Sequence, residues 1–98
     1  MAKTVSSHIE ALILRGEELL PLGGGLFGGY NGELQANYLA WRHEAIEAIR
    51  RLGGPAAHVV RKIERDKHGE FFYRTSVESV LRSLRETLEL AREMATWS

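Results

Sequence analysis

His43-Glu44-Ala45-Ile46-Glu47 opens like the H-E-x-x-H helix that holds zinc between two imidazoles one turn apart. Glu47 stands where the second histidine is required, so the ligand pair is missing. No Glu-x-x-His pair of the di-iron bundle type occurs either, and no metal site is expected. His43 with Glu47, and Glu64 with His68, have the i,i+4 spacing that exposed helices show routinely. The serines fall at expected caps or on helix surfaces, and none sits in a G-x-S-x-G elbow. With no cysteine in the chain, thiol nucleophiles, disulfides and zinc–thiolate sites are excluded. Gly23, Gly25 and Gly28 spell G-x-G-x-x-G, but a helix and Pro21 precede them where a dinucleotide site needs a strand. The expectation is no catalytic residue, no cofactor and no metal.

One further pattern bears on catalysis. Arg51 precedes His58, and Arg61 precedes His68, with six residues between the members of each pair. In size, helical class and this arginine–histidine spacing the chain resembles the small all-helical HEPN-family ribonucleases. That resemblance implies a pair that activates an RNA 2′-hydroxyl and stabilises the phosphate. Leu52 departs from the polar residue usual after the arginine, and Lys62 fits it only loosely. Arg51 and His58 also straddle the Gly53-Gly54-Pro55 break instead of sharing a helix.

The charge balance speaks against nucleic acid as the main partner. Thirteen basic and thirteen acidic residues cancel, so the broad positive field that drives non-specific binding is missing. Polarity is hidden inside that neutrality: residues 50–74 hold seven basic and three acidic side chains, an excess of 7 − 3 = 4. The segment reads first as a solvated helix face, and otherwise as a docking surface for an acidic partner or a nucleic acid. No apolar segment of signal-peptide type opens the chain, and the longest aliphatic run, Ala11–Leu14, is far too short to span a bilayer. A cytoplasmic protein with no membrane partner is expected.

The elements that position these residues follow from apolar periodicity. Val77, Leu81, Leu84, Leu88, Ala91 and Ala95 recur at alternating spacings of four and three, and Val80 and Met94 widen the stripe. This predicts a helix over about 76–96, with Thr75 and Glu78 as its capping box. Ser7 and Glu10 would cap a first helix at about 7–20, with Ile9, Leu12, Ile13 and Leu20 inward and His8 on the surface. A second helix, about 32–52 with Asn31 as cap, has a broad face built on Leu34, Tyr38, Trp41, Ala45, Ala48 and Leu52. That breadth implies several neighbours. Gly53-Gly54 stops it, and Pro55 suits the first position of a third helix, about 55–67, ended by Gly69. The fold expected is all-α: a single four-helix bundle-like domain over residues 1–98 with a Gly-rich loop at 21–32.

Five aromatic side chains exceed what such a core needs: Phe27 and Tyr30 in the loop, Phe71 and Tyr73 in a short connector, and Trp97 near the C-terminus. The connector 71–73 is expected to plug one end of the bundle. Surplus apolar side chains of this kind mark interfaces.

Leu12–Leu20, Tyr38–Arg42 and the long last helix resemble N-terminal helical regions of uncharacterised bacterial proteins, some with TIR-like or abortive-infection-type effector domains. The resemblance implies an assembly or sensing module without catalysis of its own, its effector a separate protein or one not contained in this sequence. The favoured reading is therefore a non-enzymatic protein–protein interaction module that self-associates as a homodimer or serves a separate effector, through Phe27, Tyr30, Phe71, Tyr73 and Trp97. The alternative is a HEPN-like ribonuclease or nucleic-acid-binding domain using the basic segment 50–74, with Arg51, His58, Arg61 and His68 as its site.

Overall fold

The computed structural model describes residues 2–24 and 32–97, apart from the side chains at 2–5, 67 and 95–97. The chain forms four α-helices there: α1 (Ala2–Leu19), α2 (Gln35–Leu52), α3 (Ala57–Arg65) and α4 (Arg74–Trp97). Short 3-10 turns at Leu20–Leu22, Gly32–Leu34, Gly54–Ala56 and Lys67–Glu70 lead into or out of them. Among the described residues no strand forms, and β pairing is limited to one parallel bridge between Gly24 and Tyr73. The architecture is an all-α bundle.

α1 and α4 run antiparallel, as Glu10–Arg92 and Glu17–Arg85 contacts of 3.2 Å show from one end to the other. Their shared seam buries Ile9, Leu12 and Ile13 against the predicted stripe Val77, Leu81, Leu84, Leu88 and Ala91. Each such side chain contributes about 1.5–3 kcal/mol of transfer free energy. α2 packs on α1, α3 and α4, as its broad face predicts, with Tyr38, Trp41, Ala45, Ala48 and Ile49 buried. α3 turns Val59, Val60 and Ile63 inward. Ser83 and Thr87 are buried in α4, and their hydroxyls donate to the carbonyls of Ser79 and Ser83 one turn back, so neither is left unsatisfied.

Trp41 is fully buried, and its indole N–H donates to the Leu12 carbonyl at 2.8 Å. The ring reaches α1 because Gly16 has no side chain: a Cβ there would lie 2.4 Å from Trp41 Cζ2 and 2.6 Å from Leu81 Cδ2. A glycine that weakens a helix locally is what lets three helices converge.

Several predicted boundaries move. α1 starts at Ala2, so Ser7 lies inside the helix and the Ser7–Glu10 capping box does not form. Packing of its first half against the C-terminal half of α4 supports more helix than the local signal asks for. α4 starts at Arg74 and not after a Thr75 cap: Val77 N–H donates to Tyr73 O, and Arg74 N–H is taken by Gly24 O at 2.9 Å. A donor that a cap must otherwise satisfy is satisfied by the bridge. α3 stops at Arg65; Asp66 then accepts from Gly69 N–H and opens the 3-10 turn over 67–70, so Gly69 lies within that turn and does not end the helix. Gly53, at φ +91°, stops α2 as predicted. Asn31 and residues 25–30 of the Gly-rich loop lie outside the described residues.

Candidate functional site

Three polar side chains of α2, Gln35, Tyr38 and Arg42, are spaced by three and four residues and share one stripe. All three grip the main chain of the segment joining α3 to α4. Gln35 Nε2 donates to Glu70 O at 2.6 Å, and its Oε1 accepts Phe72 N–H at 2.8 Å, the two-way pairing a neighbouring strand would supply. Tyr38 Oη donates to Gly69 O, and its ring stacks on Phe72 with centroids 5.3 Å apart. Arg42, 8% exposed, donates to Ile63 O at 2.9 Å and Asp66 O at 3.3 Å. A guanidinium at the last carbonyls of α3 answers both their unmet hydrogen bonds and the negative end of the helix dipole. Its Nε has no hydrogen-bond partner among the described residues. Burial pushes the Tyr38 hydroxyl up to about 12 from 10, against the opposing pull of the Arg42 charge; Asp66 adds to the rise, and a Ser76 hydrogen bond reduces it.

On its other side the connector meets the root of the Gly-rich loop. Gly24 N–H donates to Phe72 O at 3.2 Å and Gly24 O accepts Arg74 N–H. A Cβ at Gly23 would stand 2.8 Å from the Arg74 nitrogen, so the backbones touch because Gly23 lacks one. Phe72 goes inward while its neighbours turn out: Phe71 is 50% exposed, Tyr73 39%, and Leu22 beside the bridge 51%. An open groove of about 250 Å³, lined by Arg15, Glu18, Leu19, Leu22 and Asn37, adjoins this end.

Of the five partner residues read from the sequence, the structure thus sets Phe71 and Tyr73 together at the end where the loop begins. Only Phe72 of the connector serves as the expected plug. Phe27 and Tyr30 lie outside the described residues. Trp97, whose side chain is also outside, ends α4. Twenty-three residues of helix part it from Arg74, about 35 Å. It does not belong to the same patch.

The arginine–histidine pairs are not assembled. Arg51, Arg61 and His68 are exposed, and His58 Nε2 stands 3.3 Å from Glu86 Oε1. Among the described residues no hydrogen bond or ion pair joins Arg51 to His58 or Arg61 to His68. Arg50 is engaged by Glu47 and Glu64, whereas Arg61, Lys62 and Arg65 line the solvent face of α3. No cluster of three metal-ligating side chains exists among the described residues, and no helix there is long and apolar enough to cross a membrane.

The roles of Gln35, Arg42 and Gly16 are not evident from the sequence. Their signals were polar residues at helical spacing from Tyr38 and a glycine inside an amphipathic helix. No family model, curated protein or solved structure matches the chain.

Proposed function

We propose that this domain is a non-enzymatic protein–protein interaction module that self-associates. The observation carrying this reading is the half-exposed apolar group Leu22, Phe71 and Tyr73 at the end of the bundle, where Gln35 holds the connector's backbone at Glu70 and Phe72. A connector gripped on both sides displays its outward side chains with little conformational freedom left to lose on binding. Apart from Tyr38 and Arg42, which are buried and committed to main-chain carbonyls, the ion pairs join exposed side chains, most of them between helices, which supports the same view. Partners are a second copy first and a separate effector protein second.

Light scattering behind size exclusion tests it. At about 200 µM, a concentration that populates even micromolar complexes, the chain is expected to exceed its 11.0 kDa monomer mass. A strict monomer there refutes self-association. The rival, RNA cleavage or binding through the basic segment, predicts activity at low salt that Arg61→Ala and His68→Ala diminish; equal behaviour of both variants and wild type removes it.

A further inference from the structure

One face of the molecule, formed by α3 and α4, is divided by charge along the long axis. α3 runs antiparallel to α4: His58 at its start faces Glu86, while Asp66 at its end lies near Tyr38, whose hydroxyl meets Ser76 in the first turn of α4. From the His58–Glu86 contact, Arg61, Lys62 and Arg65 extend one way along α3, all exposed. Glu89 and Glu93 extend the other way along α4, also exposed. The two arrays share one spacing. His58, Arg61 and Arg65 stand at i, i+3 and i+7, as do Glu86, Glu89 and Glu93, so each runs about 10 Å from the contact.

Three neighbouring charges are taken up by ion pairs elsewhere. Arg85 and Arg92 are tied to Glu17 and Glu10 on the opposite flank of α4, and Glu64 is tied to Arg50. Arg82 and Glu78, both exposed on α4 beside the cationic half, cancel.

We infer that a second copy of this chain docks on the α3–α4 face, about a twofold axis crossing the face near the His58–Glu86 contact. A half-cationic, half-anionic face is complementary to itself when reversed, the condition an isologous dimer must meet. Each Arg61–Lys62–Arg65 array then faces the Glu86–Glu89–Glu93 array of the other copy. A nucleic acid fits the face less well, since its phosphates would be drawn to one half and repelled by the other. This rests on the self-association reading and names a face for it distinct from the Phe71–Tyr73 end.

The test uses light scattering and sedimentation of the full chain at about 50 mM and about 500 mM salt, a range that shortens the Debye length from about 14 Å to about 4 Å. Two variants reverse exposed charges: Arg61→Glu with Arg65→Glu, and Glu89→Lys with Glu93→Lys. The wild type is expected to dimerise at low salt and at least about tenfold more weakly at high salt. Each variant alone weakens association by about tenfold or more, and an equal mixture of the two restores it, because every pairing is again attractive.

Variants that dimerise like wild type overturn the inference. A salt-insensitive oligomer lost on Phe71→Ser with Tyr73→Ser overturns this face and leaves the self-association reading standing. A wild-type monomer under both conditions removes both. A mixed-sequence RNA oligonucleotide that dissolves the dimer at low salt, and is not bound by the arginine-reversed variant, gives the face to nucleic acid instead.

Discussion

Gly16→Ala is the sharpest test of how the helices converge, because two physical effects predict opposite signs. In an exposed helix interior the substitution stabilises by about 0.8–1.0 kcal/mol, since alanine loses less backbone freedom. Here the new methyl would stand 2.4 Å from Trp41 Cζ2 and 2.6 Å from Leu81 Cδ2. Leu81 can turn its terminal methyl away. Trp41 cannot move freely, since its N–H is committed to Leu12 O at 2.8 Å and its ring is fully buried. Forcing a methyl into a packed core costs about 1–3 kcal/mol. Loss of the indole hydrogen bond as the ring shifts adds about 1 kcal/mol. The collision wins, and the net expectation is destabilisation of about 1–3 kcal/mol. Urea unfolding followed by circular dichroism measures it, and at this chain length that loss moves the midpoint by roughly 1 M. In a Trp97→Phe background the fluorescence of Trp41 reports the displaced ring as a red shift. A variant as stable as wild type, with unchanged Trp41 emission, would refute the account of the α1–α2–α4 crossing.

Two other perturbations probe the clamp. Gln35→Glu keeps the acceptor for Phe72 N–H but replaces the donor to Glu70 O with a second oxygen, so a loss of about 1–2 kcal/mol is expected in urea unfolding, larger than for Gln35→Ala. Tyr38 carries a pH prediction: its hydroxyl is raised to about 12, so the folded chain keeps a proton that the unfolded chain releases near 10. Its contribution is whole below pH 10 and is lost between pH 10 and 12, where stability falls by about 1.4 kcal/mol per pH unit from this group alone. Tyr38→Phe should flatten that slope while costing about 1–2 kcal/mol at neutral pH, because Gly69 O loses its donor. An unchanged alkaline slope in the variant assigns the pH dependence elsewhere.

Most of the architecture was legible in the sequence. The 4-3-4-3 stripe of α4 placed Val77, Leu81, Leu84, Leu88 and Ala91 in the core, where they are. Helix ends were less legible at Ser7 and Thr75. Both carry good capping chemistry, yet α1 runs through the first and the Gly24 bridge replaces the second. A cap is a local offer that packing or a distant carbonyl can outbid. Of the candidate site, the aromatic surplus singled out Phe71 and Tyr73, which the structure leaves half-exposed, and Trp97, which α4 carries to its far end; that these lie apart was not legible, because composition holds no information on position.

By itself the sequence determined that this chain is a helical bundle, because apolar side chains at a 3.6-residue period can be buried only by folding into helices and packing their stripes together. It also determined that thiol chemistry is absent, since that depends only on which residues exist. Tertiary structure alone decided that Gln35, Tyr38 and Arg42 face a connector more than twenty residues away, that Gly16 admits Trp41, and that His58 of α3 meets Glu86 of α4. The reason is one of range: periodicity and caps act within a few residues, whereas which surfaces meet is set by how helices cross.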